Sequence, residues 1–425
     1  MEFGMNTMNE FFNISEEIIS ASQKAMELCR DKLSEIDDIQ EYNQQKMIKA
    51  FQEAGVSESH FVGTTGYGYG DRGRDALDKV FAYVLDAEDA LVRYNFVSGT
   101  HALTVALFGV LRPNDKMLCV TGTPYDTLRS AIGLEGNYSG SLKDFGIIYE
   151  QVELKDDGTV DHDAITATLD DSYKMVYIQR SRGYSVRPTL TVDDIEMIVK
   201  TVRDVNKDVI IMLDNCYGEF IEKKQPLSVG VDLMAGSLIK NPGGGIAPTG
   251  GYIAGRADLV EKCSYRLTTP GTGKELGATL NVTRELFLGA YHAPHAACEA
   301  LKTAVFASAL FTVLGYDVSP KYDEQRGDII QLIMLGTPEK LERFCVGIQH
   351  ASAVDSFVTP YPDDMPGYED KVIMAAGAFT MGSSIELSAD APLREPYAVW
   401  MQGSLNFHAG KLGVMLAADE INKYK

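Results

Sequence analysis

Apolar residues recur at helical spacing through EEIISASQKAMELCRDKLSEI and again through IQEYNQQKMIKAFQEAG, which predicts helix over residues 10–55. The stretch that follows, GVSESHFVGTTGYGYGDRGR, has no period and is rich in glycine and tyrosine, so it reads as irregular chain. Beyond it the pattern changes. The short apolar runs ALVRYNFV, DKMLCVTG, FGIIYEQVEL, YKMVYIQ, DVIIMLD, DLMAGSLIK and GGYIAGR read as strands. THALTVALFGVL and TVDDIEMIVKTVRDVN, between some of them, read as helices. Such alternation predicts an α/β domain with a mostly parallel sheet. HAPHAACEALKTAVFASALFTVLGY reads as one long helix. After it, RGDIIQLIMLG, KLERFCVGIQHAS, VIMAAGAFT and SIELSA predict a smaller α+β domain. The expected division is an N-terminal helical arm over 1–60, a large domain over 61–310 and a small domain over 311–425.

The net charge of −21 argues against nucleic acid or an anionic membrane as partner, because both require clustered Lys and Arg. No apolar run is expected to approach the roughly 20 residues that span a bilayer. The start, MEFGMNTMNEFFNISEEIIS, lacks the basic and then apolar pattern of a signal peptide. Cys29, Cys119, Cys216, Cys263, Cys298 and Cys345 are scattered, with no C-x-x-C pair. Reduced thiols and a cytoplasmic location are therefore expected, without disulfides or structural zinc.

Candidate chemistry gathers where strands end. In an open α/β sheet ligands bind beyond the carboxyl ends of the strands, which places Lys240, Asp214 and Ser98-Gly99-Thr100 on one rim. Lys240 follows LMAGSLI and precedes Asn-Pro-Gly-Gly-Gly. A desolvated lysine loses proton affinity and is suited to Schiff-base chemistry, and the glycines leave room for something flat or phosphorylated. A phosphate loop of the G-x-x-x-x-G-K-[ST] type is excluded, because here the lysine comes before the glycines. Asp214 is either the cap of the next turn or a carboxylate paired with a cofactor's ring nitrogen. Ser98-Gly99-Thr100 is either an ordinary N-cap or a phosphate site on exposed amides. Tyr125 is either packing or a ring stacked on a planar cofactor. Arg394, in PLREPY, is either a surface ion pair or a clamp on a carboxylate. His292, His295 and Cys298 or Glu299 have one-turn spacing, but Pro294 intervenes and H-E-x-x-H is absent, so no metal is expected.

Taken together, these residues resemble the fold-type-I pyridoxal-phosphate enzymes of cysteine and methionine metabolism, the cystathionine-lyase and methionine γ-lyase group. GYGYGDRGRDALDKVFA, SGTHAL, TGTPYDTL, QRSRGY, LIKNPGGGIAPTGGYIAGR and PLREPY are similar to its methionine γ-lyase-like, aluminium-resistance branch. The resemblance implies an aspartate aminotransferase-like fold with a mostly parallel seven-stranded sheet, and pyridoxal 5'-phosphate as cofactor. It implies that Lys240 carries the cofactor, Asp214 pairs with its pyridine nitrogen and Tyr125 stacks on its ring. Ser237, with Ser98, Gly99 and Thr100, would hold the phosphate. Tyr69 and Arg74, with Arg72 as the alternative, would reach the phosphate of a neighbouring subunit in a homodimer or homotetramer. Arg394 would bind the substrate carboxylate.

Two departures stand out. QRSRGY replaces the E-T-x-x-N-P of the better-known lyases, with Arg182 as a substitute for their asparagine, and Ile239 replaces the threonine before the lysine.

The implied activity is carbon–sulfur lyase chemistry on a sulfur amino acid of the cystathionine, methionine or cysteine type, by β- or γ-elimination. Lys240 would act as base and Tyr125 would aid proton transfer. The rivals are another enzyme with the same cofactor (transaminase, racemase or decarboxylase), a nucleotide-binding oxidoreductase, and a cofactor-binding stress-response protein without turnover. The missing G-x-G-x-x-G weakens the oxidoreductase reading.

Overall fold

The computed structural model describes residues 11–136, 139–365 and 370–424, so the first ten residues of the expected arm lie outside it. Two compact units are present. One comprises Ile39–His295 with Arg326–Asp328, and the other Ala296–Gln325 and Ile329–Lys425 with the N-terminal segment up to Asp38.

The first unit is built on a seven-stranded sheet: β1 (Asp89–Arg93), β2 (Lys116–Cys119), β3 (Ile148–Gln151), β4 (Tyr173–Gln179), β5 (Ile210–Asp214), β6 (Leu233–Ser237) and β7 (Gly251–Gly255). Their order is β1-β7-β6-β5-β4-β2-β3. Strands β2 to β6 pair in parallel, and β7 runs antiparallel to both β1 and β6. This is the expected mostly parallel α/β sheet. Its central strands are buried on both faces, which is why YKMVYIQ and IIMLD read as continuous apolar runs without alternation. Each large aliphatic side chain buried this way contributes about 2 kcal/mol.

Helix Gly99–Val110 is apolar almost all round because it is covered on both sides. Seven of its residues are buried, and at Gly109 an added Cβ would lie 2.9 Å from Cys263 Cα in helix Ala257–Leu267. Ser98 caps its start, accepting from the His101 amide at 3.0 Å.

The second unit carries β8 (Asp317–Ser319), β9 (Gln331–Met334), β10 (Val372–Ala376), β11 (Ser388–Pro392) and β12 (Ala398–Gln402), all antiparallel, in the order β10-β11-β12-β9-β8. Helices Pro338–Ala351 and Phe407–Asn422 pack closely at Gly347, where a Cβ would lie 2.4 Å from Ala417 Cα.

One expectation needs correcting. Helix Thr283–Val313 is 31 residues long and apolar enough to cross a bilayer, but 83% of its most apolar window is buried inside the protein. Its composition is that of a core helix, and Pro294 lies within it. All six cysteines are buried, and none is in a disulfide.

Candidate active site

The strand order brings the carboxyl ends of β1 and of β4 to β6 to one edge of the sheet, because β7, which reverses, separates β1 from β6. Asp214 closes β5 in register with Gln179 of β4 and Ala235 of β6. Ser237 closes β6, and the Lys240 amide donates to its carbonyl at 3.3 Å. Gly99 and Thr100 open the helix above them, so their amides have no partner within it.

Gly99 faces Ser237. A Cβ on Gly99 would lie 3.2 Å from Ser237 Cβ and 3.4 Å from Cys216 Sγ. The Ser237 hydroxyl is buried, and among the described residues its Oγ has no hydrogen-bond partner. A buried hydroxyl with nothing to bond is unfavourable, and this one lies beside the start of a helix, where an anion is favoured. These residues therefore fit a phosphate group.

Lys240 is half-buried, with Nζ 3.8 Å from the centre of the Tyr217 ring. Burial acts to lower its proton affinity, but Cys216, Tyr217, Asp214 and Glu219 together outweigh burial and hold it above the ordinary lysine value. This corrects the expectation of a depressed lysine: the groups around it, Cys216 and Tyr217 ahead of the two carboxylates, win over desolvation.

The role expected of the glycines is also corrected. At Gly243 a Cβ would run into the Leu238 carbonyl oxygen. At Gly244 it would lie 2.5 Å from the Gly289 carbonyl oxygen. The turn is glycine-rich because helix Thr283–Val313 crosses it at backbone contact, and because Gly244 and Gly245 have φ of 58° and 72°.

Asp214 is buried, with Oδ1 accepting from the Cys216 amide at 3.0 Å. Tyr125 is half-buried; its amide donates to Gln179 Oε1 at 2.6 Å, and its ring meets Tyr184 edge-on at 6.2 Å. Thr100 and Thr127 share a hydroxyl contact of 2.7 Å, which joins the Gly99 turn to the helix that Tyr125 begins. The structure thus gathers Lys240, Asp214, Ser237 and Gly99, and links Tyr125 to them through Gln179 and Thr100. Arg182 is buried in the strand-end segment after β4.

Three other candidates have different surroundings. Tyr69 is 65% exposed and lies against Tyr67. Arg74 is buried, its Nη1 donating to the carbonyls of Gly68 and Gly277 at 2.9 and 3.1 Å, whereas Arg72 is exposed. Arg394, in the other unit, pairs with Asp370 at 2.9 Å. His295 Nδ1 is 3.0 Å from Gln40 Nε2, and no group of three His, Cys, Asp or Glu among the described residues is arranged to hold a metal.

Sequence reasoning passed over Tyr217, Glu219, Gln179 and Tyr252. DNCYGEF reads as a turn after a strand, yet Glu219 is fully buried there, and its Oε1 accepts from the Tyr252 hydroxyl at 2.7 Å. The available signal was a glutamate flanked by glycine and phenylalanine directly after the strand end.

The model of the methionine gamma-lyase family matches residues 18–422. The YnbB protein of Bacillus subtilis strain 168 is 48% identical over 388 residues, 91% of this chain and 92% of its own. A crystal structure from Clostridium novyi NT, described as a carbon-sulfur lyase involved in aluminum resistance, superposes with a TM-score of 0.95. It is 51% identical, over 99% of this chain and 100% of that one. The pyridoxal-5'-phosphate dependent protein YhfS of Escherichia coli shares the fold, with a TM-score of 0.63, 17% identity and 91% and 97% of the two chains covered.

Proposed function

This chain belongs to the methionine gamma-lyase family, and from that premise we propose that it is a pyridoxal-phosphate-dependent carbon–sulfur lyase acting on a sulfur amino acid through Lys240. The observation that supports the site most directly is the buried Ser237 hydroxyl facing Gly99, three residues before Lys240 and without a hydrogen-bond partner among the described residues. When bound, the cofactor supplies an aldehyde for amines and an electron-accepting ring for bond cleavage around an amino acid's α-carbon.

The protein's own residues do the rest. Lys240 Nζ would hold the cofactor and would move a proton at the substrate α-carbon. Asp214 would keep a proton on the cofactor's ring nitrogen. Ser237 Oγ and the amides of Gly99 and Thr100 bind phosphate, with Ser98 fixing the helix start that presents them. Tyr125, held by Gln179, would help hold the cofactor and aid proton transfer. Arg394 would be the residue that binds the substrate carboxylate.

The site is completed by a second copy of the chain in a homodimer or homotetramer. Tyr69 is presented outward, and of the two arginines the exposed Arg72 is the better placed to reach a neighbour, since Arg74 is occupied by carbonyls. A cytoplasmic location agrees with six buried cysteines outside any disulfide.

The test is spectral and chemical. Wild-type protein with pyridoxal phosphate should show the absorbance band of a lysine-bound cofactor, and should release thiol, ammonia and 2-oxo acid from at least one sulfur amino acid. Lys240→Ala should lose both. A variant that keeps the band, or a wild type that racemises or transaminates instead, would overturn the reading.

A further inference from the structure

Glu219 lies in the loop after β5, between two residues with left-handed backbone, Tyr217 at φ 72° and Phe220 at φ 64°. Bulky side chains disfavour that region, so other groups must hold the loop there. Asn241, next to Lys240, donates through Nδ2 to the carbonyls of Tyr217 and Glu219, both at 3.0 Å. Arg180 donates to the Gly218 carbonyl at 2.8 Å. The strained loop secures a placement. It sets the Tyr217 ring against Lys240 and the Glu219 carboxyl against Gly236, where a Cβ would lie 2.5 Å from Oε1.

The carboxyl's two oxygens differ. A directional chain of donors ends on Oε1: Arg180 Nη1 to Asn215 Oδ1 at 2.8 Å, Asn215 Nδ2 to the Tyr252 hydroxyl oxygen at 3.2 Å, and that hydroxyl to Glu219 at 2.7 Å. Oε2 is buried and, among the described residues, has no hydrogen-bond partner. A buried carboxylate oxygen without a donor is tolerated when a nearby cation compensates it or when the group carries a proton. Two cations act on the carboxyl through space, Lys240 more strongly than Arg180, and the other titratable groups facing it are Tyr252 and Cys216.

We propose that Glu219 is a positioning residue for Lys240, one that sets how readily the lysine sheds its proton by itself gaining or losing one. The proposal rests on the role given to Lys240 above. With Glu219 ionised, the ammonium is held; with Glu219 neutral, the hold is released and the lysine proton passes to solvent more easily. Burial pushes the Glu219 carboxyl up to about 7, against the opposing pull of Tyr252, Lys240 and Arg180, so the change falls in the neutral range.

The experiment measures Lys240 without relying on turnover. Cofactor-free protein is treated with a limiting amine-acylating reagent, and labelling of the Lys240 peptide is followed by mass spectrometry against pH. Wild type should show a flattening of rate against pH near neutrality. Glu219→Gln should lose it and label about tenfold faster at a fixed alkaline pH, the effect of removing one nearby opposite charge. Tyr252→Phe, which removes the donor to Oε1, should move the flattening to higher pH, and it decides the matter if Glu219→Gln fails to fold. Profiles unchanged in both variants, with melting curves kept, overturn the proposal alone. Wild-type Lys240 that never takes up pyridoxal phosphate at any pH would sink the lyase reading and this proposal with it.

Discussion

The ammonium of Lys240 rests on the face of Tyr217, 3.8 Å from the ring centre, although the two residues come from loops after different strands. An aromatic face holds a half-buried cation by about 1 kcal/mol, so the ring orients the amine and opposes its deprotonation. Tyr217→Phe keeps the face and should leave the Lys240 labelling rate close to wild type. Tyr217→Leu should raise it several-fold. Equal rates in the two variants would deny the ring this role.

Gly99→Ala places a methyl 3.2 Å from Ser237 Cβ, in the space assigned to phosphate. The backbone at Gly99 is ordinary helix, so folding should change by less than about 1 kcal/mol. Cofactor affinity should fall by at least about tenfold, a loss of ~1.4 kcal/mol, measured by fluorescence titration of cofactor-free protein. Unchanged affinity would remove Gly99 from the site.

Arg72→Ala and Arg74→Ala should separate two roles that the sequence could not. The Arg74 guanidinium is buried on the carbonyls of Gly68 and Gly277, and its loss strands both. Arg74→Ala should therefore destabilise by about 2–3 kcal/mol in denaturant melts. Arg72→Ala should leave the melt unchanged but weaken cofactor retention in the assembled protein. The reverse pattern would reassign the cross-subunit contact to Arg74.

Gln179 holds the Tyr125 amide at 2.6 Å and the Ser181 carbonyl at 3.0 Å with opposite ends of one amide group. Gln179→Glu keeps the acceptor and loses the donor, while Gln179→Ala loses both. Cofactor affinity measured by equilibrium dialysis should therefore fall in the order wild type, Glu, Ala, and Gln179→Ala should match Tyr125→Ala within about threefold if the two act as a unit.

The buried Glu219 carboxyl also makes stability depend on pH. Its folded-state proton affinity is raised, chiefly by burial, so its contribution is fully present below the usual glutamate value of 4.5 and is lost as pH rises through about 7. The wild-type Tm should drop between about pH 5 and about pH 8, and in Glu219→Gln that part of the drop should vanish. Parallel Tm profiles for the two proteins would show that Glu219 titrates elsewhere.

Much of the scaffold was readable because its signals are local. YKMVYIQ and VIIMLD announce strands buried on both faces, Ser98 announces a helix start, and Lys240 and Asp214 follow such runs directly. The strand AVWMQ and the final helix Phe407–Asn422 gave no expectation, nor did the three-residue β8, whose pattern is too short to show a period. The glycines after Lys240 were read as room for a ligand, when they admit the backbone of a helix much later in the chain.

By itself, then, the chain's pattern of apolar runs and strand-end polar residues determined the alternating architecture and the edge on which the reactive groups lie, because burial and capping act over a few neighbouring residues. Only the tertiary structure decided which buried polar atoms find partners. It decided that Arg74 serves its own loop, that the Ser237 hydroxyl has no partner among the described residues, and that Glu219 answers to Tyr252 and Lys240. Hydrogen bonds and charge act through space, between residues that no spacing along the chain relates.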